Sequence, residues 1–324
     1  MAFKKPEKLI SGTKILIFGE AGTKKSRTAL TFPRIAYIDS DQGADNYFEE
    51  FKDNLVLVSD STTFAEVISD LDDVESDADN IDTIVLDSIT KIYENQQHTA
   101  LRVVEQRAMK NGRLKEGEGL SPKEWGVIKL NHEKMLSKLF ELKKEGKIII
   151  VISEGKDEKE AIVASDGSTS FRKIGITTNA SKGIEFDFDI VLEMVRDPKS
   201  GKTIGAKVLK DRLGVISEGE LVESPSYSIW AETIERRRQG TAKATKRNLD
   251  DDLDRDAKTF SADSNIGKIA EIIADINSIV TSLDKEGQKK VAATFKEKFG
   301  TMAFKELKDA KVLNDMLEVA KANK

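Results

Sequence analysis

The chain has 324 residues, a formal net charge of −5, a charged fraction of 34% and an apolar fraction of 39%. This length accommodates a full α/β core together with an accessory module, and the acidic balance argues against a globally basic coat for nucleic acid. Cysteine is absent and histidine occurs only at His98 and His132. Disulfides, thiolate metal sites and histidine-rich metal clusters are therefore excluded.

Hydropathy gives no sign of a membrane protein. The sequence contains no run of about 18 apolar residues, which is the length that spans a bilayer. The first residues, MAFKKP, lack the apolar stretch of a signal peptide. We therefore expect a soluble, cytoplasmic protein without a membrane partner.

From residue 14 onward, apolar β-rich runs alternate with helical patterns, which is typical of a mostly parallel α/β sheet. A helix is expected at about 25–30, and another begins near 62–66. A long helical stretch follows the strand at 83–86 and loses its apolar rhythm near Met109, and a further helix covers about 122–144. Two segments, 109–121 and 155–182, are polar and weakly patterned and are predicted to be long loops. Buried strands are predicted at 35–38, 55–58 and 147–152, and further strands at 14–18, 83–86, 190–195 and 207–209.

The character of the sequence changes near residue 236. Residues 236–261 carry a run of three arginines at 236–238, scattered lysines and an aspartate run without apolar periodicity, which predicts a flexible charged linker. Apolar residues recur at helical spacing beyond it, with a break at Gly300. The predicted organisation is an α/β domain over 1–235, the linker, and a small helical domain over 262–324.

The first predicted strand enters a glycine-containing turn that nearly fits G-x-x-x-x-G-K-[ST]. In that motif backbone N–H groups surround phosphates at a helix N-terminus, the lysine reaches the β- and γ-phosphates, and the hydroxyl binds Mg²⁺. A lysine replaces the glycine that normally precedes the motif lysine, so an ordinary charged strand–helix turn is the alternative. The predicted nucleotide-binding residues are Gly19, Glu20, Ala21, Gly22, Thr23, Lys24, Lys25, Ser26 and Arg27.

An aspartate ends the apolar strand predicted at 83–86. Asp87 occupies the place where a carboxylate would hold Mg²⁺ through water. The alternative is a strand-end aspartate that caps the next helix. ATP and Mg²⁺ are the predicted ligands of the site.

These residues, in this order, resemble the RecA family. Leu86-Asp87-Ser88 is similar to the family's strand-end Asp-Ser, and Ile38-Asp39-Ser40-Asp41 is similar to its second-strand segment. The resemblance implies that Asp41, normally a glutamate, orients the attacking water, and that Asp45 contacts the adenine edge. A solvated strand–loop junction is the alternative for both residues.

Two later segments extend the resemblance over about residues 10–215. Glu154 stands where the family carries a polar γ-phosphate sensor, usually glutamine, and its charge would repel phosphate. Lys210 and Arg212 match a Lys-x-Lys strand whose cations reach the nucleotide of a neighbouring subunit, with a charged edge strand as the alternative. The likeness is greatest to RecA-like ATPases of bacteriophages, including the Sak-type proteins associated with single-strand annealing and recombination.

The resemblance also implies where single-stranded DNA would bind. The corresponding loops are 102–120 and 155–182, in which cations could neutralise phosphates and Phe171 could stack on a base. Acidic residues are interleaved, so a solvated loop is the alternative. The candidate cations are Arg102, Arg107, Lys110, Arg113, Lys115, Lys156, Lys159, Arg172 and Lys173.

The sequence therefore predicts a DNA-dependent ATPase that works as a homo-oligomer in phage recombination or replication, in the host cytoplasm. One alternative is a catalytically weak nucleotide-binding scaffold or annealing protein. Another is an interaction protein that meets its partner through residues 262–324.

Overall fold

The structure is a computed structural model, and it describes residues 7–110, 119–163, 169–245, 249–263, 265–307 and 309–322. The chain divides into two compact units, Met1–Lys246 and Arg247–Lys324. No helix in these ranges is long and apolar enough to cross a bilayer.

The first unit is an α/β domain. Two short 3-10 helices, Ala78–Asn80 and Ile184–Asp187, lie in its connections. Its elements are β1 (Thr13–Gly19), α1 (Lys25–Leu30), β2 (Ile35–Asp39), α2 (Asp45–Phe48), β3 (Leu55–Ser59), α3 (Phe64–Ser76), β4 (Thr83–Asp87), α4 (Ile89–Lys110), α5 (Pro122–Lys144), β5 (Ile148–Val163), β6 (Thr169–Thr178), β7 (Ile190–Arg196), β8 (Thr203–Asp211), β9 (Leu221–Val222) and α6 (Tyr227–Arg238).

The strands form one sheet in the order β3-β2-β4-β5-β1-β7-β8-β9, and β6 pairs with β5 beyond this path. The β3-β2-β4-β5-β1-β7 part is parallel, whereas β8 and β9 continue antiparallel. This confirms the predicted mostly parallel α/β fold. Because the carboxyl ends of β1, β2, β4 and the parallel part of β5 share one edge, the residues that follow them converge there.

The central strands are buried on both faces, which explains why they are continuous apolar runs rather than alternating ones. Along β1, Leu16 and Phe18 join the core beneath α3, α4 and α5. Ile15 and Ile17 face the opposite core, which includes Ala29 and residues of α6. The sheet is thus held between two helical layers.

The prediction that 55–58 is buried is wrong. β3 is the edge strand, and Val56 and Val58 are 42% and 49% exposed. The apolar composition of this strand resembles that of a central strand, and its position at the edge could not be predicted from the composition.

The prediction of a loop over 155–182 is also wrong for residues 155–163 and 169–178, where β5 continues past the sheet and pairs antiparallel with β6 as a hairpin. Residues 164–168 lie outside the described residues. Cross-strand ion pairs join Arg172 to Glu160 at 3.0 Å and Lys173 to Asp157 at 2.6 Å. Most hairpin side chains outside its base are exposed, so both faces meet water and the apolar alternation that identifies a half-buried strand is missing. In the other predicted loop, residues 109 and 110 end α4, and residues 111–118 lie outside the described residues.

The second unit contains only helices among its described residues: α7 (Leu249–Asp263), α8 (Asn265–Ser282), α9 (Lys285–Phe299), a 3-10 turn Phe304–Glu306 and α10 (Ala310–Ala322). Its core includes Ile276, Phe295 and Met316. Gly300 ends α9 with a φ of 73°, as the predicted break requires. The predicted C-terminal helical fold is confirmed.

The segment 236–261 contains the end of α6 and most of α7. Thr241 and Ala242 are attached to the first unit, because backbone hydrogen bonds of 2.8 Å join them to Lys8 and Ile10. Whether this segment acts as a linker between domains stays a prediction.

Candidate functional site

The turn between β1 and α1 is the floor of a cleft of about 440 Å³ at the carboxyl edge of the sheet. Gly19 and Gly22 have φ values of 151° and 70°. A Cβ at Gly19 would lie 2.6 Å from the carbonyl oxygen of Met194, so the close passage of β1 beside β7 requires glycine. The turn therefore presents its backbone to the cleft.

The ammonium group of Lys25 lies over the turn. Its Nζ donates hydrogen bonds to the carbonyl oxygens of Gly19, at 3.1 Å, and Glu20, at 2.9 Å. Burial lowers the pKa of Lys25 from its ordinary value, and Asp87 and Glu154 oppose that change. Lys25 thus places a positive charge beside the turn that leads into α1. A cation next to the N-terminus of a helix is an arrangement suited to phosphate.

Lys24, the residue that replaces the motif glycine, has φ 69° and ψ 26° directly before α1. This left-handed conformation costs a residue with a side chain roughly 1–2 kcal/mol. Lys24 also lines the cleft. The turn has therefore kept the backbone path that favours glycine at this position.

Ser26 and Asp87 form the pair suited to a cation. The Ser26 hydroxyl donates a hydrogen bond of 2.6 Å to Oδ2 of Asp87, and the Tyr37 hydroxyl donates another of 2.5 Å to the same oxygen. Asp87 is buried, and burial raises its pKa although both hydroxyls oppose the change. Hydroxyl and carboxylate oxygens are ligands that Mg²⁺ prefers, so the pair fits Mg²⁺ held together with nucleotide phosphates.

Asp41 lies beside this pair. The Ser88 hydroxyl donates a hydrogen bond of 3.1 Å to Oδ1 of Asp41, and Ser88 is fixed through its backbone N–H and C=O to the hydroxyl of Ser40, at 2.8 and 2.9 Å. Burial and the nearby charge of Asp87 raise the pKa of Asp41 to about 6. A carboxylate with this pKa is a stronger base than an ordinary aspartate and stays mostly ionised at neutral pH.

Glu154, at the end of the parallel part of β5, also lines the cleft. Its carboxylate forms an ion pair of 3.3 Å with Lys91 in the first turn of α4. Part of the negative charge expected to repel phosphate is thus neutralised inside the protein.

Three of the predicted nucleotide contacts do not line this cleft: Glu20, Thr23 and Asp45. Thr23 is buried and donates a hydrogen bond of 2.8 Å to the carbonyl of Glu20. Asp45 is exposed at the start of α2 and accepts a hydrogen bond of 2.8 Å from the backbone N–H of Asn46. Arg27 does line the cleft, and its guanidinium pairs with both oxygens of Glu50 at 2.5–2.6 Å.

Lys210 and Arg212 lie toward the end of the sheet where the parallel strands begin, whereas the cleft lies at the end where these strands finish. Lys210 pairs with Val191 near the start of β7, whereas Gly19 is level with Met194 further along. Lys210 donates hydrogen bonds to the carbonyls of Glu185 and Phe186 at 3.0 and 3.1 Å. These two cations are therefore remote from the cleft of their own chain.

The described candidate DNA contacts occupy two elements. Arg102, Arg107 and Lys110 lie on the distal half of α4, and Arg107 pairs with Glu124 at 3.9 Å. The β5–β6 hairpin carries the others, and Phe171 on it is 69% exposed. Arg113 and Lys115 lie outside the described residues.

Sequence reasoning missed three side chains that shape the site: Tyr37, Lys91 and Arg196. Arg196 donates hydrogen bonds to the carbonyls of Ala21 and Gly201 and lies 3.7 Å from the carboxylate of Glu20. Its position as the last residue of β7, two residues beyond the pairing of Met194 with Gly19, is a signal available only once strand order is known. Tyr37 lies within an apolar strand and gave no signal of its own. Because side chains two residues apart on a strand share a face, Tyr37 lies on the same face as Asp39 at the strand end, and this relation could have indicated it.

This sheet and turn define a P-loop nucleotide-binding domain, with the phosphate-binding turn between β1 and α1 and an acidic strand end beside it. The sequence profile of the family described as "AAA domain" matches residues 11–218. The chain belongs to this family and contains a P-loop ATPase domain that binds nucleotide. No curated protein sequence matches the chain.

Proposed function

We propose that the chain is a RecA-like ATPase of bacteriophage type, which hydrolyses ATP and acts on single-stranded DNA in recombination or replication. The observation that carries this proposal is the convergence of Lys25, Ser26, Asp87 and Asp41 on one cleft. Together they offer a cation for phosphate, two oxygen ligands and a carboxylate base.

In the proposed reaction, a water molecule attacks the γ-phosphorus in line with the leaving group. Asp41 orients that water and accepts its proton, and Lys25 stabilises the charge that develops on the phosphate oxygens. Mg²⁺, held by Ser26 and Asp87, would add further positive charge to the bound nucleotide. The hydrogen bond from Ser88 fixes the direction of the Asp41 carboxylate.

The positions of Lys210 and Arg212 support the proposal that the chain works as a homo-oligomer. Lys210 and Arg212 lie at the far edge of their own sheet, so any contact they make with nucleotide is to that of a neighbouring protomer. Such cations in trans are a known way of completing a phosphoryl-transfer site.

DNA binding is the finer part of the proposal, and it is supported by the placement of cations. The hairpin leaves the sheet beside the P-loop, where Lys173 lies 3.6 Å from Glu20. A nucleotide in the cleft and single-stranded DNA bound to the hairpin would thus be close enough to influence each other's binding.

A second candidate function is a nucleotide-binding scaffold with little turnover. The left-handed Lys24 favours it, because a strained or displaced phosphate turn would bind nucleotide but align it poorly.

The deciding experiment is a steady-state ATPase assay of the full chain, with and without single-stranded DNA, alongside Lys25→Ala. DNA-stimulated turnover that Lys25→Ala abolishes supports the enzyme. Tight ATP binding without turnover under both conditions favours the scaffold.

A further inference from the structure

A second groove, of about 540 Å³, lies between α4, α5 and the segment 181–187. Its volume falls in the range of small-molecule sites, about 300–1,000 Å³. None of the P-loop cleft residues lines it. It is therefore separate from the nucleotide cleft.

Three aromatic side chains line this groove: Tyr93, Trp125 and His132. The Tyr93 and His132 rings meet edge to face, with centroids 5.6 Å apart. Trp125 is 42% exposed, so a large part of its indole is open to solvent. The groove thus offers an open aromatic face beside a packed aromatic wall.

His132 supplies an unused hydrogen-bonding group. It is 1% exposed, and its Nε2 has no hydrogen-bond partner among the described residues. Burial lowers the pKa of His132 to about 4, so the imidazole is neutral at physiological pH. Nε2 is also closed to solvent. A buried polar atom left without a partner costs free energy, which a ligand with one complementary polar group would recover if its entry uncovers that nitrogen.

The charges of the groove cancel. Lys129 and Lys182 are balanced by Glu133 and Asp187, and Lys129 already pairs with Glu133 at 3.6 Å. A site for phosphate would carry net positive charge. Aromatic surface, a neutral imidazole with an unpartnered nitrogen and no net charge fit a flat, uncharged, polar-edged ring.

We propose that this groove is a subsite for one unpaired nucleobase of single-stranded DNA, which stacks on Trp125 and hydrogen-bonds to Nε2 of His132. The inference rests on the proposed DNA-binding function and assigns part of it to residues outside the candidate loops. Bases within a duplex are stacked and paired, so only an unpaired base could enter.

Tryptophan fluorescence reports directly on this groove, because the chain has two tryptophans and Trp230 is 1% exposed. Acrylamide, a neutral quencher, therefore reaches mainly Trp125. Short oligo(dT) should shield Trp125 from acrylamide, whereas an abasic oligonucleotide of equal length, which keeps the phosphates, should bind without shielding it.

Substitutions at Trp125 test whether a base stacks on it, through their effect on the affinity for oligo(dT). Trp125→Ala should weaken oligo(dT) binding about tenfold, equally at low and high salt, and leave abasic binding unchanged. Trp125→Phe should restore most of the loss. Val127→Ala is the matched control, since Val127 is exposed on the same helix but lines a different groove.

Three results would overturn the inference. If both oligonucleotides bind and Trp125 stays accessible, the groove is not a base subsite, although DNA binding stands. If deoxythymidine monophosphate shields Trp125 as well as oligo(dT) does, the groove binds free nucleotides instead. If neither oligonucleotide binds, this inference and the proposed DNA function both fail.

Discussion

Lys91 lies 3.3 Å from Glu154, a residue that lines the nucleotide cleft, and both side chains are about 40% exposed. The pair joins the first turn of α4 to the end of the parallel part of β5. Its contribution to folding is small at such exposure. Its effect on the potential felt by a bound phosphate is larger, because the carboxylate lines the cleft.

The first prediction concerns this pair. Lys91→Ala leaves Glu154 uncompensated and should weaken ATP binding about fivefold, measured by titration with a fluorescent ATP analogue at low salt. Adding Glu154→Gln to that variant should restore the affinity. Glu94→Gln is the control, since Glu94 also pairs with Lys91 at 3.3 Å but does not line the cleft. Equal losses in Lys91→Ala with and without Glu154→Gln would show that charge compensation is not the role of Lys91.

The second prediction concerns pH and Asp41. Its pKa is raised from 3.8 to about 6, so the folded state favours the protonated carboxyl, and the stability that this group contributes is lost as pH rises through about 6. Asp41→Asn should therefore raise the Tm of the nucleotide-free protein at pH 7.5, and the difference should vanish near pH 4. ATP turnover of the wild type should fall below about pH 6, and that of Asp41→Asn should be abolished.

Asp45→Asn is the control for that experiment, because Asp45 is an exposed carboxylate four residues away outside the cleft. It should change neither the pH profile nor the Tm difference. A wild-type pH profile in Asp41→Asn would remove Asp41 from the role of base.

The sequence was sufficient to predict the central fold and the position of the P-loop, because those features depend on local patterns. Apolar runs marked β1, β2 and β4 as strands, and Gly19, Gly22 and Lys25 marked the turn. Features that depend on the order of strands in the sheet could not be predicted from the sequence. The exposure of Val56 follows from the edge position of β3, and the proximity of Arg196 to Ala21 follows from the pairing of β7 with β1.

The β5–β6 hairpin shows a second limit. A hairpin whose two faces meet water, such as the one held by Glu160 and Arg172, has no apolar alternation and is indistinguishable from a polar loop in sequence. The ion pair between Lys91 and Glu154 could not be predicted either, since the two residues are 63 positions apart and each is ordinary in its local context.

The third prediction concerns contacts in trans. The double variant Lys210→Ala, Arg212→Ala should bind ATP but lose turnover by about 10³-fold, the effect of removing an arginine finger. Mixing it with Lys25→Ala protomers should restore activity, because some interfaces then combine an intact P-loop with intact cations. Lys207→Ala, an exposed lysine on the same strand, should have no effect. Absence of rescue in mixtures that still assemble would contradict a role in trans.

The fourth prediction concerns the second unit. A chain ending at Lys246 should fold and bind ATP with unchanged Kd, because residues 247–324 form their own compact unit with its own core. A chain ending at Gln239 should have a lower Tm, since it loses the backbone hydrogen bonds of Thr241 and Ala242 to Lys8 and Ile10. Insoluble protein from the chain that ends at Lys246 would show that the P-loop domain depends on the helical unit.

The last prediction concerns Lys24, whose φ of 69° places a side chain where the motif has glycine. Lys24→Gly relieves a conformational cost of roughly 1–2 kcal/mol, which the greater freedom of glycine in the unfolded chain partly offsets. We expect a small rise in Tm and, because the backbone N–H groups of the turn can then align with the phosphates, faster ATP turnover. Lys24→Ala separates the two properties of the lysine, since it removes the ammonium but keeps the Cβ and its strain. If turnover rises only in Lys24→Gly, the backbone limits the reaction; if it rises equally in both variants, the charge does. Equal or lower activity in Lys24→Gly would show that the turn is adapted to Lys24, and that the lysine contributes to phosphate binding beside Lys25.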